Sequence, residues 1–251
     1  MSSMIDAHCH YSFLSYKQVE NALLQQKKIG IEGWILAGYD FEDWAKQLEL
    51  KKNFHDEFML SFGLHPWSLK EKEDYKTQLS YLEMHSHKYD FLGEMGLDFK
   101  NRPSPELKAL QRSIFEAQLN IAKKINKPIV VHSVSAVQET LDILSTLSPV
   151  RGFVHGFSGP PEVAIKYIDL GLKLSIGRSV LNSNSRKLFK TLKNIDYRHF
   201  VFETDLPSYQ DRIIPDASTL LGILEKVGLI SGVSVDDLKA SGSENILAML
   251  R

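Results

Sequence analysis

Eight short, almost wholly apolar runs punctuate this 251-residue chain, near residues 4–8, 31–38, 57–64, 90–94, 128–132, 150–155, 172–176 and 199–204. They are rich in Ile, Val, Leu and Phe and lack the in–out alternation of a half-exposed strand. Each therefore reads as a strand covered on both faces, as in parallel sheets. Helical patterns separate them, near 17–29, 40–53, 74–88, 105–125, 135–147, 161–170, 184–193 and 216–228. The clearest is 105–125, where Leu107, Leu110, Ile114, Ile121 and Ile125 keep one apolar stripe behind a Ser104 cap and a first-turn Pro105. Strands alternating with helices eight times over favour an α/β fold of the TIM type, a (β/α)8 barrel, over an open doubly wound sheet. A last segment, 235–250, reads as an extra C-terminal helix packed across the barrel. No linker, charge block or repeat divides the chain, so residues 1–251 are expected to form a single barrel domain.

The charge balance narrows the partners. With 30 basic and 31 acidic residues the formal net charge is −1, so any nucleic-acid contact must come from a local basic patch. Cys9 is the one cysteine, which permits no internal disulfide and fits a reducing compartment. Neither a signal-peptide pattern nor an apolar stretch long enough to cross a bilayer is evident, so a cytoplasmic protein with no membrane contact and no obligate protein partner is expected.

Polar groups recur where the apolar runs end. Met4-Ile5-Asp6-Ala7-His8-Cys9-His10 turns polar within a few residues, and strict alternation would set Asp6, His8 and His10 on one face with Ala7 and Cys9 on the other. Glu94, His132, His155 and Asp205 each close a run of their own. Taken singly, each is an ordinary turn or core residue. Six ligand-type side chains at strand ends, which a parallel barrel gathers at one rim, point to divalent metals and so to metal-assisted hydrolysis. Asp6 is placed to hold the second ring nitrogen of a ligand imidazole, and Glu203, on the same face as Asp205, is a possible supporting partner.

Further residues cluster around these ends. Gly93 and Gly96 flank Glu94 where backbone must approach something closely, and the carboxylate can bridge two cations as an imidazole cannot. Asp98 reads as a loop or supporting acid. His65, in Gly63-Leu64-His65-Pro66-Trp67, closes the third run and is as readily a turn histidine as a substrate contact. The turn His155-Gly156-Phe157-Ser158-Gly159 offers backbone donors and the Ser158 hydroxyl to a phosphate. Lys100, Arg102 and Arg178 lie in loops expected on the same rim. Gly-x-Ser-x-Gly, Walker and dinucleotide signatures are all missing, so nucleophilic-serine and nucleotide-fuelled chemistry have no anchor.

Together, Asp6-x-His8-x-His10, Gly63-Leu64-His65-Pro66, Gly93-Glu94-Met95-Gly96-Leu97-Asp98, Pro128-Ile129-Val130-Val131-His132-Ser133, His155-Gly156-Phe157-Ser158-Gly159 and Glu203-Thr204-Asp205 resemble the TatD family of metal-dependent deoxyribonucleases. The likeness runs in order along nearly the whole chain and includes a closing Ser243-Glu244-Asn245-Ile246-Leu247. It implies a TIM-type barrel with two divalent cations that hydrolyses phosphoesters, in characterised relatives as a 3′→5′ DNA exonuclease. By the same resemblance, His8 and His10 hold one metal, His132 and His155 the other, Glu94 bridges both, and Asp205 completes the first site. Some positions depart from the family pattern. Val134 and Ser135 stand where an arginine and an acid are frequent, Gly156 where a cysteine is common, and Leu206-Pro207-Ser208 with Tyr209 replaces a proline–aromatic pair.

The reading is therefore metal-assisted hydrolysis of DNA or another phosphoester with Mg²⁺, Mn²⁺ or Zn²⁺, in which Glu94 sets the metal spacing and Asp205 accepts the proton of water. A small-molecule metal hydrolase of the amidohydrolase or lactonase kind stands as the alternative. Those with two metals commonly use a modified lysine at the position of Glu94. A histidinol-phosphatase-like barrel also opens with His-x-His but spaces its later motifs differently. A non-catalytic scaffold would have no need of six such residues at one rim.

Overall fold

The computed structural model describes residues 4–207 and 218–251. Eight parallel strands stand in sequential order: β1 (Met4–Cys9), β2 (Ile31–Leu36), β3 (Phe58–Phe62), β4 (Phe91–Asp98), β5 (Ile129–Val134), β6 (Gly152–Val154), β7 (Leu172–Ile176) and β8 (Phe200–Phe202). The ends of the sheet meet. Asp205 N–H donates to the His8 carbonyl at 2.9 Å, and His10 N–H donates to the Leu206 carbonyl at 3.0 Å. Around the strands run α1 (Tyr16–Lys27), α2 (Phe41–Phe54), α3 (Lys76–Met84), α4 (Pro105–Ile125), α5 (Val137–Ser145), α6 (Pro161–Asp169), α7 (Arg186–Asn194) and α8 (Ser218–Ser231), with the additional α9 (Val235–Met249). The expected TIM-type (β/α)8 barrel with its extra C-terminal helix is the observed fold. Ser208 and Tyr209 lie outside the described residues.

Two apolar layers hold it. Inside the barrel, Ile5, Ala7, Ile35, Phe91, Val130, Phe153 and Val201 form one cluster, onto which Ile246 and Met249 of α9 pack. Ile5, Phe91 and Val130 sit at the start of their strands, so α9 covers the amino-terminal mouth. Asn245 secures it, donating from Nδ2 to the carbonyls of Arg198 (2.9 Å) and Phe200 (2.8 Å) at the foot of β8. The outer layer pairs the alternate strand residues Leu92, Val131, Val154 and Phe202 with helix residues such as Phe115, Leu119, Tyr167 and Leu224. Inner Val130 and outer Val131 leave the next inward step to His132. The same parity brings His155 inward after Val154 and Glu203 inward after Phe202.

Strict alternation fails in β1. Ala7 packs with Ile5 in the inner cluster while Cys9 belongs to the outer layer, so the expected common facing of Ala7 and Cys9 is not observed. The cause is a register shift against β2 between Asp6 and Cys9, where one extra residue turns the pleat over. The β1–β2 pair has another shift at its start, between Met4 and Ile5, and β4–β5 has one between Leu92 and Met95, around Glu94. Beyond it β4 does not stop at 94 but continues to Asp98, paired with Val134. Its polar residues and glycines break the apolar pattern without breaking the ladder.

Gly96 shows why the sequence there is constrained. Its φ is +146°, and a β-carbon would lie 2.0 Å from the His132 carbonyl oxygen. Gly96→Ala is therefore expected to part β4 from β5 and cost on the order of 3 kcal/mol or more. Gly222→Ala, inside α8 with nothing within 4 Å of the added carbon, is expected to stabilise by about 0.5–1 kcal/mol. Chemical denaturation of the two variants checks both signs.

Candidate metal centre

The inward steps at the carboxyl ends of the strands converge on one carboxylate. Glu94, 1% exposed, has Oε1 at 2.5 Å from His132 Nδ1, 3.1 Å from His155 Nε2 and 3.2 Å from His65 Nε2. Its other oxygen, Oε2, lies 3.2 Å from His8 Nε2. Asp205 joins from the end of β8, its Oδ1 at 3.3 Å from His10 Nε2 and 3.9 Å from His8 Nε2. The structure thus gathers His8, His10, Glu94, His132, His155 and Asp205 and adds His65. Among the described residues, three triads bring one donor atom each within 4.8 Å of one another: His8, His10, Glu94; His8, His155, Asp205; and His65, Glu94, His132.

Several ring nitrogens have their roles set by what the far nitrogen does. His155 Nδ1 faces Glu203 Oε1 at 3.2 Å, and His132 Nε2 faces Asp98 Oδ2 at 3.1 Å. A carboxylate on the far side holds the proton there and leaves the near nitrogen's lone pair aimed at the cluster, the arrangement that supports metal-ligating histidines. His65 is the reverse. Its Nδ1 accepts from Trp67 N–H at 3.0 Å, so the neutral ring carries its proton on Nε2 and donates towards Glu94. That favours a carboxylate-positioning role over ligation. His8 Nε2 is buried with no hydrogen-bond partner, although it lies between two carboxylates. A buried nitrogen left bare among oxygen donors fits a divalent cation, and so does the mixed imidazole and carboxylate set.

Supporting residues differ from expectation at Asp6. Its carboxylate accepts from Thr204 N–H (2.9 Å), Thr204 Oγ1 (2.6 Å) and His8 N–H (3.3 Å), so it holds backbone across the β1–β8 seam instead of an imidazole nitrogen. Glu203 and Asp98 do what was expected of Asp6. Glu203 is fully buried and also accepts from Gly156 N–H at 2.7 Å and Ser175 Oγ at 2.5 Å. The turn after His155 therefore offers a phosphate fewer donors than its sequence implies, because Gly156 N–H is taken by Glu203 and Phe157 N–H by the Ser175 carbonyl. Gly156 itself has φ +60°, which suits glycine where a cysteine would be strained. Of the two roles the sequence offered Asp98, loop or supporting acid, the second is the one observed; it ends strand β4 instead of lying in a loop.

Electrostatics follow from the crowding. Burial works to raise the Glu94 carboxyl, but the surrounding His155, His65, His8 and His132 hold it well below the usual carboxylate range. Burial opposes protonation of His132 and His155, yet Glu94 and the far-side carboxylates raise both. His65 goes the other way, pushed down to about 4 by burial despite Glu94. Asp205 has a side chain 37% exposed, so it is the acid of the cluster that solvent reaches.

The remaining rim residues lie in the loops expected. Lys100 and Arg102 follow β4, Ser158 follows β6, and Arg178 follows β7; the first three are exposed and Arg178 is half-buried. Val134 and Ser135, with Phe157 and Tyr167, line a small cleft of about 230 Å³ beside His155. Replacing Glu203 by Gln keeps its size and removes its charge. The His155 imidazole pKa is then expected to fall, read by NMR titration of the metal-free protein, while Glu203→Ala costs about 3–5 kcal/mol by stranding the buried ring.

Comparison with known proteins agrees with this architecture. The family profile described as TatD related DNase matches residues 5–251. The human protein named Deoxyribonuclease TATDN3 is 24% identical, over 98% of this chain and 94% of its own length. Escherichia coli YjjV, named an uncharacterized metal-dependent hydrolase, is 30% identical over 81% of this chain and 79% of its own. The crystal structure of YjjV superposes with a TM-score of 0.85, covering 98% of this chain and 97% of that one at 22% identity. With its family profile matched from strand β1 to the last residue, and a buried His/Glu/Asp cluster able to hold metal at the rim, the chain belongs to the TatD family of metal-dependent hydrolases.

Proposed function

We propose that the protein is a two-metal phosphodiesterase acting on DNA, a deoxyribonuclease that removes nucleotides in the 3′→5′ direction. The observation that carries this reading is Glu94, whose two carboxylate oxygens face different imidazoles, His8 on one side and His132 and His155 on the other. An acid so placed can bridge two cations. His8, His10 and Asp205 with Oε2 would hold the first, and His132 and His155 with Oε1 the second. When bound, two divalent cations lower the pKa of a water and offset the charge of the phosphodiester. Asp205 takes the proton on its carboxylate, since it alone among the cluster acids is open to solvent and its ring partner His10 steadies the ionised form. His65 holds Glu94 in place through its Nε2–H. Lys100, Arg102 and Arg178 meet the backbone phosphates of the strand. The family membership and the name of the human relative support DNA as the substrate.

One observation favours a second reading, a small-molecule metal hydrolase. Val134 lines the cleft beside His155 where an arginine could have gripped a phosphate in a two-pronged contact, so an uncharged substituent fits there better. Assays on single-stranded DNA, lactones and amides with Mg²⁺, Mn²⁺ and Zn²⁺ separate the two. The absence of bound metal and of all hydrolysis would instead indicate a scaffold. We place its action in the cytoplasm, where the free, buried Cys9 stays reduced; among the described residues no single helix is long and apolar enough to cross a membrane.

Elemental analysis of protein purified without chelator is expected to give two divalent ions per chain, and Glu94→Ala to lose more metal than any single histidine variant. Metal affinity is expected to fall as pH falls. His10, His132 and His155 bind protons more readily than free imidazole in the metal-free protein, so metal must displace them, and a pH indicator should register proton release on loading near neutrality. Asp205→Asn is expected to lower kcat on a single-stranded oligonucleotide by about 10²–10⁴-fold, the usual contribution of a positioned base. Neutralising Lys100, Arg102 and Arg178 together should raise KM and flatten the log–log salt dependence by about 0.7 per lost phosphate contact.

A further inference from the structure

Trp34 and Trp44 are buried to 1% exposure or less, whereas Trp67 stands 42% exposed at the metal rim. Its indole forms one wall of a cleft of about 450 Å³, shared with Tyr39, Pro66, Pro103, Leu107 and Asn101. That volume is in the range of small-molecule sites. The ring is fixed before any ligand arrives. Its Nε1–H donates to Asp98 Oδ2 at 2.8 Å, and its ring packs in a T-shaped arrangement with His65, with centroids 5.2 Å apart and planes at 74°. Asp98 Oδ2 also faces His132 Nε2 at 3.1 Å, and the indole and His132 rings have centroids 6.1 Å apart. One carboxylate oxygen therefore joins the wall of the cleft to the metal cluster.

We propose that this cleft is a base-binding subsite, in which the nucleobase of the nucleotide whose phosphate lies at the metal cluster stacks on Trp67. The inference rests on the phosphodiesterase reading and names how such a substrate is held. Four features of the site fit a nucleobase. A rigid indole loses little freedom on stacking, and every base presents a π-face to it. Pro66, Pro103 and Leu107 give apolar contact to the ring, and the Asn101 amide can meet a base edge. The 6.1 Å between the Trp67 and His132 ring centroids suits the sugar that joins base to phosphate. Lys100 and Arg102 flank Asn101 in the same loop, where the next phosphate of a strand would pass.

Two measurements test it. In the chelator-treated protein, thymidine 5′-monophosphate is expected to quench the exposed tryptophan, and deoxyribose 5-phosphate, which lacks the base, to leave the emission unchanged. In the metal-loaded enzyme, Trp67→Ala is expected to raise KM for a single-stranded oligonucleotide about 5- to 150-fold, the span of one base–aromatic stack, with metal content equal to wild type. Trp67→Phe keeps the ring and loses the N–H, and it should recover most of the affinity. A phenylalanine variant as impaired as the alanine one would overturn the proposal, showing that Trp67 acts only through its bond to Asp98. Equal quenching by the two phosphates, or an unchanged KM in Trp67→Ala, would overturn it as well. Failure of wild type to cleave any phosphodiester would sink the phosphodiesterase reading, and the quenching experiment would still decide whether the cleft takes a base.

Discussion

The carboxylate of Glu94, buried in a ring of imidazoles, is the constraint on which the rest of this rim depends. An isolated ionised acid at 1% exposure would be very costly, and so would four buried imidazoles without an acceptor. They reach one another only if β1, β3, β4, β5 and β6 end at matching heights. Each imidazole comes from the end of a different strand or the loop just past it, so the electrostatic demand of one side chain fixes the relative placement of five elements.

Around that centre, irregular strand pairing coincides with side chains of the site, apart from one shift at the amino end of β1. A register shift in β1 and another in β4 interrupt the pleat next to His8 and Glu94, whereas β2–β3 and the pairings from β5 to β8 run in simple register. The shell behind the cluster is equally specific. Asp98 and Glu203 orient two imidazoles, Gln111 Oε1 on α4 accepts from Asp98 N–H at 2.9 Å, and Gln118 brackets Leu64 beside His65. Helix α4 thereby positions two parts of the site at once. The opposite end of the barrel carries apolar packing and the α9 cover, so the residues that secure the fold and those that shape the chemistry lie at different ends of the same strands.

The rim is also uneven in its polarity. Beside His155 the cleft is small and partly apolar at Val134, while beside His132 it is wide and aromatic at Trp67. A substrate spanning the cluster would meet charge at its centre, a flat apolar surface on one flank and a narrow pocket on the other. Basic residues lie in the loops after β4 and β7, and in a chain whose net charge is near zero any anion affinity has to be local.

By itself the sequence determined the barrel and its ligand candidates, because both are written in short-range patterns. Doubly apolar runs mark buried parallel strands, 3.6-residue stripes mark helices, and a polar residue closing such a run has few places to go but the rim. Only the tertiary structure decided which groups touch. Asp6, placed by alternation beside a histidine, holds Thr204 instead, because the closing of the barrel sets the hydroxyl and N–H of the residue just past β8 against its carboxylate. Asp98 and Glu203 gained their roles from pairings across strands far apart in sequence, and no local periodicity encodes those. The proton of His65 is placed by the backbone of Trp67, two residues on, in a turn whose shape depends on β3, β4 and α4 packing together. Hydrophobic periodicity specifies where a chain goes; hydrogen-bond partners and protonation depend on distances that exist only once it has arrived.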